Sequence, residues 1–314
     1  MIHTRNLRRV FRSKAGEVEA VAGVDLDVQR GEIFGFLGPN GAGKTTTMRM
    51  LVTLLPPTSG DAVVAGHDLL RRPADVRREI GYVAQTGGTD PTVTGRDELV
   101  HQGRVFGLSR EAARARADEL LQRFSLVDPA DRPTATWSGG QRRRLDIAIG
   151  LVHRPALVFL DEPTTGLDPQ SRANMWDEVR RLRDEGTTVF LTTHYLDEAD
   201  ALCDRLAIID HGRIVAEGTP DELKRRIAGD VVTIGIDGDV GRAQALLSDR
   251  PFVREVSADG TELRLYVDRG ETATPAILRL LDEAGMPPTS LVLTRPSLDD
   301  VFLQQTGRSL RDAA

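Results

Sequence analysis

The chain has 314 residues, one cysteine, 40% hydrophobic residues and a formal net charge of −6, from 41 Lys+Arg against 47 Asp+Glu. The length suits one large domain or two ordinary ones, and the acidic balance argues against a nucleic-acid binder, which needs a basic face. A lone thiol, Cys203, excludes an internal disulfide or a cysteine zinc cluster and points to a reducing compartment. The longest apolar runs reach about half a membrane span, so no transmembrane helix is expected. The opening Met1-Ile2-His3-Thr4-Arg5 does not lead into the apolar stretch of a secretory signal, and a cytoplasmic protein is expected.

The first expected elements are strands. Residues 18–21 and 24–28 alternate apolar and polar side chains, as half-buried strands do. Gln29-Arg30-Gly31-Glu32 reads as a turn. Residues 33–37 form a short apolar strand that runs directly into Gly38-Pro39-Asn40-Gly41-Ala42-Gly43-Lys44-Thr45. A helix is expected from about 43 to 55, stopped by Pro56-Pro57, and a strand over 61–67. Residues 89–150 read as mostly helical. Within them Ser109 is an N-cap before a run rich in Ala, Arg, Glu and Leu, and Ser138 precedes a helix over 141–151.

Strands over 156–160 and 187–193 then enclose a helix over 169–185, the alternation of a parallel sheet covered on both faces. Residues 206–209 and 213–216 flank a His211-Gly212 turn and suggest a hairpin. Thr219-Pro220-Asp221-Glu222-Leu223 caps a further helix. A boundary is expected near Gly229-Asp230, dividing the chain into 1–228 and 229–314. Past it come a strand (231–236), a helix (242–247), two strands (253–256 and 262–267), a helix (275–284) and a strand (290–293), the order of a ferredoxin-like domain. Ser297-Leu298-Asp299-Asp300-Val301-Phe302-Leu303 reads as a capped amphipathic helix.

Three segments carry chemistry. The glycines of residues 38–45 let the backbone curl so that its N–H groups point inward, and the loop opens a helix whose N-terminal partial charge favours anions. Lys44 can reach between β- and γ-phosphates, and Thr45 offers a hydroxyl to Mg²⁺. Lysine occurs only at Lys14, Lys44 and Lys224, so one of three falls where a flexible point charge is wanted. Asp161 and Glu162 end an apolar strand, where side chains face the ligand crevice of a parallel sheet. Asp161 is assigned to the metal and Glu162 to the base that polarises an attacking water. Ser138-Gly139-Gly140-Gln141 opens a helix with free N–H groups and little bulk, a second anion site. It cannot hold the phosphates that the first loop of the same chain already holds. The pattern therefore points to two copies of the chain closing on ATP.

With these motifs in this order, the chain resembles the nucleotide-binding subunit of ATP-binding cassette (ABC) transporters over roughly residues 2–228. The resemblance implies an α/β fold: a P-loop NTPase (ABC ATPase) core with an antiparallel β subdomain and a helical subdomain over about 87–150, plus a small α+β, ferredoxin-like C-terminal domain. It assigns nucleotide binding to Gly38, Pro39, Asn40, Gly41, Ala42, Gly43, Lys44, Thr45 and Thr46, with Phe11 stacking on adenine. Gln85, in Tyr82-Val83-Ala84-Gln85, would touch Mg²⁺ and the lytic water. Trp137-Ser138-Gly139-Gly140-Gln141 matches the signature motif, with Trp137 where leucine is usual. Gly166-Leu167-Asp168 matches the loop that crosses the dimer interface, and His194 the histidine that contacts the γ-phosphate. The other histidines form no ligand spacing.

Within the family the chain is similar to the ATPase subunits of daunorubicin-type drug exporters. The residues concerned are Arg142-Arg143-Arg144-Leu145-Asp146-Ile147-Ala148, residues 192–200, and the tail at 297–303 with Thr306-Gly307. This implies ATP and Mg²⁺ as cofactors and ATP hydrolysis coupled to export of a drug-like or lipophilic compound. The implied partners are a second copy of the chain and an integral membrane permease, with no nucleic acid, and the implied location is the inner face of the cell membrane. The rival expectation is a soluble ATPase with the same cassette acting on nucleic acid or ribosomes. The long coiled-coil insertions or second cassette of those proteins are not found in the sequence.

Overall fold

The structure, a computed structural model, describes residues 1–13, 16–226, 229–294 and 297–306. Lys14 and Gly307 therefore lie outside the described residues. Packing separates two compact units that meet at Gly218/Thr219. The expected boundary at 228/229 adjoins residues 227–228, which are not described; the helix just before it belongs to the second unit.

The first unit contains β1 (Ile2–Ser13), β2 (Gly16–Val28), β3 (Ile33–Leu37), α1 (Lys44–Leu51), β4 (Ser59–Val64), β5 (His67–Asp68), α2 (Pro73–Glu79) and β6 (Ile80–Val83). It continues with α3 (Gly95–Val105), α4 (Arg110–Arg123), a single 3₁₀ turn (Thr134–Thr136), α5 (Gly139–Gly150), β7 (Leu157–Asp161) and α6 (Pro169–Asp184). It ends with β8 (Thr188–Thr193), α7 (Leu196–Leu202), β9 (Arg205–Asp210) and β10 (Arg213–Gly218).

The antiparallel subdomain is a sheet of order β2-β1-β4-β5. The two strands expected over 18–28 are halves of β2. The lapse in alternation between them marks register shifts in the β1–β2 ladder, a bulge rather than a strand end. β1 has a polar, arginine-rich sequence that gives little strand signal, yet it pairs with β2 on one side and β4 on the other. α1 stops at Leu51, short of the expected 55. Thr53 adopts a left-handed conformation (φ 65°), and the Leu54 and Leu55 N–H groups both donate to the Arg49 carbonyl ahead of the two prolines. The strand expected over 61–67 is β4, which turns at Ala65-Gly66 into β5.

The second sheet has the order β10-β9-β3-β8-β7-β6, parallel throughout except for the edge strand β10. β3, β7 and β8 are buried along their whole length, the mark of central parallel strands. Phe34, Phe36 and Phe159 pack around Phe190, each with its ring centroid 5.5–5.8 Å from that of Phe190. The register sets Leu37 beside Thr193 and Asp161 beside Thr192. The segments that leave the carboxyl ends of β3, β7 and β8 therefore emerge side by side, where α/β sheets bind their ligands. α3, α4 and α5 form the helical subdomain. Thr94, Ser109 and Ser138 cap their N-termini, and Trp137 is buried against Gly95.

The second unit comprises α8 (Pro220–Arg226), β11 (Asp230–Ile236), α9 (Val240–Ser248), β12 (Val253–Asp259), β13 (Glu262–Val267), α10 (Gly270–Glu283), β14 (Pro288–Thr294) and α11 (Leu298–Thr306). Its antiparallel sheet has the order β12-β13-β11-β14, the ferredoxin-like arrangement expected from the sequence. Leu263, Leu265, Val232, Ile234, Leu247 and Ile277 sit at the centre of its own core. α8 packs on α11. Ser297 and Asp300 close the capping box of α11, and the Tyr266 hydroxyl donates to Asp300 (3.3 Å).

Candidate active site

The loop between β3 and α1 is shaped by close backbone approach. Gly43 has φ 109°, and a Cβ there would lie 2.6 Å from the Ala20 carbonyl; one on Gly38 would lie 2.3 Å from the carbonyl of Ile209. Only glycine tolerates both demands. The loop rims a cavity of about 160 Å³ lined by Ala20, residues 39–41, residues 43–46, Gln85 and Glu162. Lys44 is 4% exposed, and its ammonium donates to the carbonyls of Gly38 (2.7 Å) and Pro39 (3.0 Å). Burial draws Lys44 below its ordinary value, while Glu162 and Asp161 pull the other way.

Asp161 and Glu162 are adjacent but have different surroundings. Asp161 Oδ1 accepts from the Thr192 hydroxyl (2.6 Å) and from Thr45 (3.3 Å). Glu162 stands just past the strand with a left-handed backbone (φ 46°), its N–H held by the Thr192 carbonyl and hydroxyl, each at 3.1 Å. The turn aims its carboxylate back over the phosphate loop. Oε1 lies 3.5 Å from Lys44 Nζ and 3.2 Å from His194 Nδ1, the latter without the alignment of a hydrogen bond. Oε2 accepts from Gln85 Nε2 (2.9 Å) and Thr165 Oγ1 (3.3 Å). Burial alone would raise the Glu162 carboxyl, but His194 and Lys44 outweigh it and hold the group below its ordinary value. A carboxylate ionised at neutral pH, beside a cradle of N–H groups, can orient and polarise a water molecule.

The structure thus brings Lys44, Thr45, Gln85, Asp161, Glu162 and His194 together, from four segments spread between residues 44 and 194. The cavity also takes in Asn40, Gly41 and Thr46 from the expected set. Ser138, Gly139 and Gly140 are not in its lining; Ser138 and Gly139 are exposed at the start of α5. Gln141 closes a capping box there, its side chain accepting from the Ser138 N–H (2.9 Å). Asp168 caps α6 by accepting from the Ser171 N–H (2.9 Å) and hydroxyl (2.6 Å). Phe11 lies on β1, 39% exposed, with the Arg9 guanidinium 4.7 Å from its ring centroid.

Two residues that hold the site carry no such expectation in the sequence reading. Thr192 contacts both carboxylate-bearing residues; it falls within residues 192–200, which carry the family resemblance without giving it a role. Arg143, buried in α5, donates to five main-chain carbonyls around Glu162 and Gln85. Its neighbours Arg142 and Arg144 mask it in the sequence.

Comparison with known proteins places the chain in a family. A family model described as ABC transporter matches residues 21–165, and one described as the C-terminal domain of DrrA1-3-like ATP-binding proteins matches residues 218–306. The daunorubicin resistance ATP-binding protein DrrA3 of Streptomyces coeruleorubidus is 48% identical over 95% of this chain and 95% of its own length. The daunorubicin/doxorubicin resistance ATP-binding protein DrrA of Streptomyces peucetius is 46% identical over 99% of this chain and 94% of its own. The linearmycin resistance ATP-binding protein LnrL of Bacillus subtilis is 35% identical over 99% of this chain and 100% of its own. Among solved structures, a dimeric bacterial ABC transporter cassette superposes with a TM-score of 0.65 at 26% identity, covering 70% of this chain and 98% of that one.

Proposed function

This chain belongs to the ATP-binding subunits of ABC transporters, and we propose that two copies of it close head to tail on ATP to drive a separate membrane permease that exports a drug-like or lipophilic compound. The chain is an ATPase, as the members of that family are. One observation carries the two-copy reading. Glu162, Lys44, Gln85 and His194 converge on the phosphate loop, while Ser138 and Gly139 are exposed at the start of α5 and, with Gly140, lie outside the lining of that loop's cavity. In the proposed cycle the residue 38–46 loop of one copy and Ser138-Gly139-Gly140 of the other grip the same γ-phosphate. Glu162 polarises the attacking water, and His194 contacts the γ-phosphate. Loss of that phosphate removes the bridge, so ATP and ADP bias the open–closed equilibrium differently.

Thr45 and Asp161 present hard oxygen donors 3.3 Å apart beside the loop, a set that suits Mg²⁺, with Gln85 completing it. Such an ion supplies charge neutralisation on the phosphates. Export of a drug-like compound is supported by the relatives' names, which speak of resistance to daunorubicin, doxorubicin and linearmycin. Among the described residues no helix is long and apolar enough to cross a membrane, in keeping with a peripheral subunit held at the cytoplasmic face by its permease.

The test is Glu162→Gln. Turnover should fall by at least ~100-fold, roughly 2.7 kcal/mol, and light scattering should show a dimer with Mg-ATP but not with ADP. Turnover near the unaltered rate would end the assignment of Glu162. Persistent monomers at saturating ATP, with and without the permease, would end the two-copy reading.

A further inference from the structure

Arg143 reaches out of the helical subdomain into the backbone of the site. Its Nε donates to the Pro163 carbonyl (2.8 Å), Nη1 to those of Ala84 (2.6 Å) and Gln85 (3.3 Å), and Nη2 to those of Asp161 (3.0 Å) and Glu162 (3.2 Å). A guanidinium offers five N–H donors in a rigid fork, and a lysine ammonium offers three from one point. Successive carbonyls of a straight strand point to opposite sides, so three in a row can meet one guanidinium only if the chain turns sharply. The left-handed backbone of Glu162 supplies that turn, a conformation that disfavours a residue with a side chain and persists where surrounding bonds over-determine it. The same guanidinium holds the carbonyls of Ala84 and Gln85, which belong to the peptide units before and after Gln85, and the Gln85 amide in turn donates to Glu162 Oε2. Arg143 is not hydrogen-bonded to the Glu162 carboxylate and does not line the phosphate cavity. It holds the backbone that aims Glu162 and the backbone that carries its amide partner.

We infer that Arg143 is a positioning residue for hydrolysis, setting the geometry of Glu162 and Gln85 through their main chain without contributing to ATP binding. This rests on the proposed role of Glu162. The test uses the full chain, with Arg143→Lys as the main variant because a buried alanine would leave five carbonyls stranded. Single-turnover and steady-state ATPase assays should show kcat reduced by at least about 10-fold, with KM and the equilibrium affinity for a fluorescent ATP analogue changed by less than about 3-fold. In the Glu162→Gln background the lysine substitution should cost clearly less than it does alone, because one of the two groups it positions, the Glu162 carboxylate, is already gone. Three results overturn the inference: kcat within about 2-fold of the unaltered protein, ATP affinity lost together with kcat, or fully multiplicative losses in the double variant. Should Glu162→Gln alone turn over normally, the reading of Glu162 fails. A silent Arg143→Lys beside an inactive Glu162→Gln removes only the role of Arg143.

Discussion

Around Glu162 the charged side chains divide the work by burial. Lys44 and Arg143 are both buried cations, but the first donates to carbonyls of the phosphate loop itself and the second to carbonyls of the segments that carry Glu162 and Gln85. Asp146, three residues on from Arg143 in α5, has its carboxyl pushed up to about 6, chiefly by burial, with Arg143 and Arg142 opposing. The sign follows from linkage. A carboxyl that holds its proton more tightly when folded makes the folded state lose stability as pH rises from about 4 to about 6, and the deficit persists above that. Asp146→Asn should therefore stabilise the protein at pH 7.5, by about 1–2 kcal/mol once partial exposure is allowed for, and by less at pH 5. Thermal melts at the two pH values check this, and an equal gain at both would contradict it. Lys44, Thr45, Asp161 and Glu162 were legible as a group because each occupies a motif whose local chemistry is self-announcing. Arg143 and Thr192 were not, because their value lies in what they touch across the fold.

At the scale of the element, the helical subdomain shows how local signals and packing share control. Ser109 and Ser138 were readable as caps, since an N-cap depends on the three residues after it. The start of α3 has such a cap in Thr94, but it also rests on a contact about forty residues away. Gly95 opens that helix against the buried indole of Trp137, which precedes the Ser138 segment; a Cβ on Gly95 would come within 2.3 Å of the ring. Gly95→Ala forces the indole or the helix to shift. The expected loss is about 1–3 kcal/mol of stability, read as a lower urea midpoint, with a shift in Trp137 fluorescence. An unchanged midpoint would show that the indole moves freely. β1 teaches the converse lesson. Its arginines hide it from pattern reading, and it exists because β2 and β4 satisfy its backbone on both sides.

The molecule as a whole is two packed units with separate cores. The second has a four-stranded sheet, its own buried aliphatic residues and a capped terminal helix. A fragment of residues 219–314 should therefore melt cooperatively by circular dichroism; a featureless melt would show that it needs the first unit to fold. The ferredoxin-like order of that unit was legible because its strands and helices alternate with clear breaks, whereas α10 begins earlier than expected, at Gly270, where the backbone N–H bonds Asp230 (2.7 Å). Residues near one another in the chain decided the phosphate loop, the helix caps, the apolar central strands and the acidic pair, because turn geometry, capping and alternation act over a few positions. Only the closed structure chose which of three consecutive arginines is buried, gave Glu162 its left-handed turn and set Gln85 and His194 on its two oxygens. Those outcomes depend on which strands lie side by side, and strand order is settled by burial across the whole sheet.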